Sequence, residues 1–250
     1  MNLKQGVITM FSRPHGQDRY PLRHPDNSNL SLHYDGTFEG LPVMIEKGPF
    51  IQEYLSALKR TVELAMVEYP RVLAFRVDLR LPQDIELPDY AYTNQVISRF
   101  FESFTKKIQY HQKRVGERCY ARGCKVRYVW SREVPQGGRP HYHVLILLNR
   151  DAYYTVGRLH SEKVNMIDRL QEAWASALGL PVWLVEESVH IPDNSTYRID
   201  LRPRERKVKG SDRKVLVDEL PLLFHRASYL CKVATKSYGD RQRGFDTSRG

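Results

Sequence analysis

The stretch KVRYVWSREVPQGGRPHYHVLILL, residues 125–148, decides the fold. Two strand-like segments, Lys125 to Glu133 and His141 to Leu148, flank Val134-Pro135-Gln136-Gly137-Gly138-Arg139-Pro140, whose Pro and Gly residues are turn chemistry. The reading is a β-hairpin. With Pro135 to Arg139 as its loop, Val134 pairs with Pro140, Glu133 lies across from His141, and Ser131 lies across from His143. Directly opposite residues share a face with Cβ atoms about 5 Å apart, and residues two apart on one strand do the same. His141 and His143 therefore project together, and Glu133 joins them. A one-residue slip in register sends Glu133 to the far side, and Leu145 and Leu147 continue the same face as an ordinary core would.

Outward from the hairpin, Leu55, Leu58, Val62, Met66 and Tyr69 recur at helical spacing until Pro70, which predicts a first helix. Val72 to Leu81 alternates Leu73, Phe75, Val77, Leu79 and Leu81 with Ala74, Arg76, Asp78 and Arg80, a period-two strand closed by Pro82. Ile97, Phe100, Phe101, Phe104 and Ile108 form the apolar stripe of a helix over roughly 92–114. A further helix is expected around 161–178, a strand from Pro181 to His190, a basic loop from Arg202 to Gly210, and a last helix from Leu220 to about Lys236. This order predicts an α+β fold, an antiparallel or mixed sheet with helices packed on it. Three regions follow: an extended arm at 1–48 with a hairpin near Asp35-Gly36, a main domain at 49–236, and a basic tail at 237–250.

Composition bounds the function. The 250 residues are 41% hydrophobic, 11% aromatic and 27% charged, which suits a folded globular chain rather than a membrane or disordered one. The longest apolar run, Val144 to Leu148, is far short of the roughly 20 residues a bilayer span needs. The first residues hold no apolar stretch of signal-peptide length, so a cytoplasmic protein is expected. Cys119, Cys124 and Cys231 form no C-x-x-C pair, which argues against a zinc finger or a disulfide framework. A formal net charge of +10 is the footprint of a protein that meets phosphates.

On the last predicted helix, His225, Tyr229, Lys232 and Lys236 fall within about 60° of one another at 100° per residue, while Leu223, Ala227, Leu230 and Ala234 form a separate apolar stripe. A tyrosine thus stands at the edge of a buried face with cations beside it. Such cations compensate charge on a phosphoryl group attacked by the phenol oxygen.

The His141-Tyr142-His143 strand, followed downstream by Tyr229-Leu230-Cys231-Lys232, resembles the HUH endonuclease superfamily, in particular the single-tyrosine rolling-circle replication initiators of filamentous-phage or prophage type. The strand from Phe75 to Pro82 stands where that family places its first motif, although the Thr residues common there are absent. The resemblance covers roughly residues 50–236 and implies an RRM-like core sheet. It implies that His141, His143 and Glu133 bind Mg²⁺ or Mn²⁺, that Tyr229 attacks the scissile phosphate, and that Lys232 stabilises it. The expected product is a 5′-phosphotyrosine link with a free 3′-hydroxyl, formed at a single-stranded DNA origin that either carries a hairpin or lacks one. Arg76, Arg80, Arg139 and Lys236 are the expected DNA contacts, and the basic loop at 202–209 is a further one. No Walker-type motif is present, so a host helicase and polymerase are the expected partners in a bacterial cytoplasm. Two alternatives stay open: a noncatalytic nucleic-acid-binding regulator on the same scaffold, and a transposase or mobilisation enzyme with the same chemistry.

Overall fold

A computed structural model describes residues 20–117, 122–157, 164–207, 214–234 and 240–249. The chain opens with strands β1 (Arg23–His24) and β2 (Asn27–His33), a ribbon of β3 (Thr37–Phe38) and β4 (Leu41–Pro42), and β5 (Phe50–Ile51). Helix α1 (Gln52–Glu68) leads into β6 (Arg71–Arg80), and α2 (Gln95–Gly116) leads into the hairpin β7 (Arg127–Glu133) and β8 (His141–Asn149). Then come α3 (Met166–Leu178), β9 (Val189–His190), β10 (Thr196–Asp200), the hairpin β11 (Arg204–Lys207) and β12 (Lys214–Val217), α4 (Leu220–Ala227) and β13 (Phe245–Thr247).

The fold is α+β. Its central sheet runs β10, β6, β8, β7, β13, with β9 also pairing with β6, and every pairing is antiparallel. Helices α2 and α3 cover one face, where Leu73, Phe75, Val77 and Leu79 of β6 meet Phe100, Phe104 and Trp174. On the other face Ala74, Leu145 and Leu147 pack with Leu55 and Leu58 of α1 and Leu223 and Phe224 of α4. Burial on both faces explains the unbroken apolar run of β8, which a one-sided sheet would interrupt with polar residues. Asn165 caps α3 by accepting from the amides of Ile167 and Asp168, and Gly179, at φ 72°, ends it in the left-handed conformation.

Several expected boundaries shift. Residues 20–47 are docked rather than extended: Phe38 and Val43 join the core, and Glu53 accepts from the Ser31 amide. The ribbon turns at Glu39-Gly40, between β3 and β4, and not at Asp35-Gly36. At the other end, β13 pairs with β7, and Arg132 holds Asp240 at 2.5 Å, so the described part of the tail belongs to the sheet layer. The Pro181 to His190 segment forms short 3-10 turns at Val182–Leu184 and Glu186–Ser188, with only Val189–His190 in the sheet. Its apolar residues do not alternate, and a short apolar run fits either class. Of the expected basic loop, Arg204–Lys207 form β11, paired antiparallel with β12, and residues 208–210 lie outside the described residues. Among the described residues no helix is long and apolar enough to cross a membrane.

Helix α4 stops at Ala227 rather than near Lys236, and the chain continues as a 3-10 turn over Ser228–Cys231. Ser228 diverts it. Its hydroxyl donates to the His225 carbonyl at 2.7 Å and accepts from the Met44 amide at 2.9 Å. Lys232 then bridges to Phe50, and the Val233 amide donates to the Pro49 carbonyl at 2.9 Å.

Candidate active site

Along the face of the sheet under α1 and α4, apolar residues give way at one end to polar ones. On β6 the sequence on that face is Val72, Ala74, Arg76, Asp78, and on β8 it is Leu147, Leu145, His143, His141. The register is the one predicted: Glu133 pairs with His141 and Ser131 with His143, while Asp78 and Arg80 of β6 pair with His143 and His141. Three adjacent strands thus deliver the polar side chains to one patch.

Within it, one ligand atom each from Glu133, His141 and His143 lie within 4.8 Å of one another. Asp78 Oδ1 stands 2.6 Å from His143 Nδ1. That bond makes Nδ1 the donor and turns the lone pair of Nε2 toward Glu133. His143 Nε2 is buried, has no hydrogen-bond partner, and faces Glu133 Oε2 at 3.4 Å. His141 Nε2 approaches the same oxygen at 3.5 Å. Electron pairs converging on one point out of water require a proton or a cation between them. Two imidazole nitrogens and one carboxylate oxygen are a donor set that suits a divalent ion, so the residues fit a metal.

In each of the three ionisable groups at the centre of the patch, neighbouring charge opposes burial and wins. Burial pushes the Glu133 carboxyl up, but His141, His143 and Lys232 together hold it far below the usual carboxylate range. Burial pushes the His143 imidazole down, and Asp78 and Glu133 overcome that and raise it. For Asp78 burial again opposes ionisation, and His143 and Arg76 outweigh it.

The 3-10 turn brings Tyr229 and Lys232 to this patch. At about three residues per turn, positions i and i+3 eclipse, and the Lys232 ammonium donates to Tyr229 Oη at 2.5 Å. The same ammonium lies 2.9 Å from Glu133 Oε1, with both side chains buried. The Tyr229 ring meets the His143 ring edge-on at 5.4 Å between centroids, and the Arg76 guanidinium stands 5.4 Å from the Tyr229 ring centre. The phenol, the ammonium and the His-Glu-His cluster form one contiguous site.

The expected DNA contacts divide. Arg76 and Arg80 share the site's face of β6, with Arg80 exposed. Arg139 is a loop staple, its guanidinium donating to the carbonyls of Pro82 and Ile85. Lys236 lies outside the described residues. His225 serves Ser228 through its carbonyl. Two contributors were not read as site residues from the sequence. His190 of β9 places Nδ1 3.9 Å from Asp78 Oδ2, and Asp78, on the polar face of the β6 alternation, orients His143. Finding them requires knowing that β9 and β8 both pair with β6.

Comparison with known proteins gives this fold a family. Uncharacterized protein YfjJ of Escherichia coli (strain K12) is 29% identical over 214 residues, covering 82% of this chain and 98% of its own. Uncharacterized protein YagK of the same organism is 31% identical over 208 residues, covering 81% of this chain and 95% of its own. No solved structure matches the chain. The family model for the YagK/YfjJ C-terminal domain matches residues 33–248, a range that takes in the site, the docked N-terminal ribbon and β13. The chain therefore belongs to the YagK/YfjJ C-terminal domain family.

Proposed function

We propose that this protein nicks and rejoins single-stranded DNA through a 5′-phosphotyrosine intermediate at Tyr229, in the manner of the HUH endonucleases, and so initiates rolling-circle replication of phage, prophage or plasmid DNA in the bacterial cytoplasm. The observation that carries the reading is the meeting of a phenol, an ammonium and a His-Glu-His cluster that come from three separate segments of the chain. Core packing alone does not call for a buried histidine nitrogen turned on a buried carboxylate.

Glu133, His141 and His143 would hold Mg²⁺ or Mn²⁺, which supplies Lewis-acid polarisation of the phosphate when bound. Tyr229 Oη attacks phosphorus, a phosphorus–oxygen bond to Tyr229 forms, and the bond to the 3′-oxygen breaks. The phenol proton leaves to solvent and the 3′-oxygen takes one up, so no water is consumed and the ester bond energy is kept for rejoining. Lys232, already donating to Tyr229 Oη, compensates the charge that develops there. Arg76 and Arg80 border the site where the flanking phosphates would run. A host helicase would unwind the duplex, and a polymerase would extend the free 3′-hydroxyl.

The test is a labelled pool of randomised single-stranded DNA incubated with the protein and Mn²⁺, with covalent adduct read on a denaturing gel. Wild type is expected to form adduct, Tyr229→Phe none, and His141→Ala none while still binding DNA. Adduct that persists in Tyr229→Phe removes the nucleophile assignment. Absence of adduct from wild type with any divalent metal leaves a DNA-binding protein without this chemistry.

A further inference from the structure

The end of the sheet remote from Tyr229 carries a second concentration of charge. Arg71, which opens β6, lies seven residues from Asp78, or about 23 Å along the strand. Around it a cavity of about 710 Å³ is lined by Arg71, Arg150, Arg202 and Arg204 with Asp151, Asp200 and Glu205. A neighbouring cavity of about 370 Å³ shares Arg71, Arg150 and Asp151 and adds Arg198 and Tyr154.

Two of these five arginines are held by carboxylates. Arg71 pairs with Asp151 at 2.5 Å, an acid that Arg122 also reaches at 3.0 Å from outside the lining, and buried Arg150 makes a two-pronged contact with Asp200 at 2.5 and 3.3 Å. They form a fixed wall. The other three are not so engaged among the described residues: Arg198 rests its guanidinium 4.6 Å above the ring of exposed Tyr154, and Arg202 and Arg204 are exposed at the base of the β11–β12 hairpin. Among the described residues, every cation that lines the two cavities is a guanidinium. Solubility is served equally by lysine, whereas a planar fork of donors matches the paired oxygens of a phosphate. An exposed aromatic ring beside such forks is what stacked bases use.

Topology says which way a polymer would travel. Arg198 pairs with Leu73 and so faces the α2/α3 side, opposite the face that carries His143, and β10 is the outermost strand of the sheet path. A chain that reaches both places passes around the β10 edge.

We propose that this arginine-lined cavity binds the phosphodiester backbone of single-stranded DNA at a point remote from the cleaved bond. The identity of the polymer rests on the nicking reading. The test is fluorescence anisotropy of a labelled oligothymidylate, without divalent metal, across a KCl series. Arg202→Ala/Arg204→Ala is expected to lose at least about fivefold in affinity and to flatten the salt dependence by about 1.4, two phosphate contacts at roughly 0.7 each. Arg198→Ala is expected to weaken binding in the same direction. Arg60→Ala/Lys113→Ala removes two cations from exposed positions on α1 and α2 and is expected to change affinity by less than about twofold. Equal losses in the cluster and control variants, or none in the cluster variants, overturn the proposal. The two readings fail separately: adduct at Tyr229 with binding unmoved by the arginines refutes only the cavity, and arginine-dependent binding without adduct refutes only the nicking.

Discussion

Asp78 Oδ1 and His143 Nδ1 stand 2.6 Å apart, and this contact decides which nitrogen of His143 is free to hold a cation. A histidine whose Nδ1 donates to a carboxylate presents Nε2 as a lone pair in a fixed direction, and such partners strengthen the ligand while orienting it. Asp78 is accordingly a positioning residue. Asp78→Ala is expected to weaken Mn²⁺ binding about 10–100-fold, measured by electron paramagnetic resonance titration without DNA. Asp78→Asn should fall between, because its amide oxygen still accepts from Nδ1. An unchanged affinity in both variants would show that His143 is oriented by something else.

Lys232 stands between two chemistries, 2.9 Å from Glu133 Oε1 and 2.5 Å from Tyr229 Oη. Lys232→Met keeps the length and apolar stem of the side chain and removes the charge. Adduct formation in a single turnover is expected to slow by about 10²–10³-fold, the scale for losing one preorganised donor at a reacting oxygen. DNA affinity by anisotropy should change little, since a site ammonium contributes only one of many phosphate contacts. A variant that forms adduct at the wild-type rate would leave Lys232 a merely structural partner of Glu133.

The hairpin at 125–148 was legible because its information is local. The loop chemistry sets the register, and the register sets which side chains share a face, so Glu133, His141 and His143 could be brought together from spacing alone. The approach of Tyr229 and Lys232 was legible for a different geometric reason than expected. A continuous helix would have set them about 60° apart, whereas the 3-10 turn eclipses them, and what ends the helix is a hydrogen bond from Met44 to Ser228 across 184 residues. Nothing near Ser228 in sequence announces that. The same holds for Asp78 and His190, whose roles depend on strands paired across long separations, and for the arginine cavity, assembled from the ends of β6, β8 and β10. The turns at 182–188 were misread because Val182 to Val185 is a short apolar run with Trp183 pointing outward, and only packing against α3 decides its form.

Trp174 ties the core to the site. It is fully buried, meets Phe100 and Tyr142 edge-on, and its Nε1 donates to the Arg80 carbonyl at 2.8 Å. Arg80 is paired across the sheet with His141. Trp174→Ala is expected to cost about 3–5 kcal/mol in urea unfolding, from lost burial and the cavity left behind. It also strands a backbone acceptor at the end of β6. A loss under about 1 kcal/mol would mean that α2 and α3 collapse into the space, which a closely packed interior resists.

Glu68 at the end of α1 supplies the acid limb of stability. It takes a two-pronged contact from Arg127, at 2.8 and 2.6 Å, and the Arg127 side chain is 3% exposed. The Arg127 guanidinium holds the Glu68 carboxyl below its ordinary value, against an opposing push from burial. A carboxyl depressed in the folded state contributes stability that is present above its unfolded pKa, near 4.5, and is lost as pH falls through the folded one. Glu68→Gln leaves Arg127 charged, buried and without its counter-ion. Full loss of a buried partner costs about 3–5 kcal/mol, and the partial exposure of Glu68 reduces this to about 1–3 kcal/mol at neutral pH. The gap between variant and wild type in urea unfolding should close as pH drops below about 4. A gap that stayed constant down to pH values where Glu68 is protonated would show that the glutamate acts by packing and not by its charge.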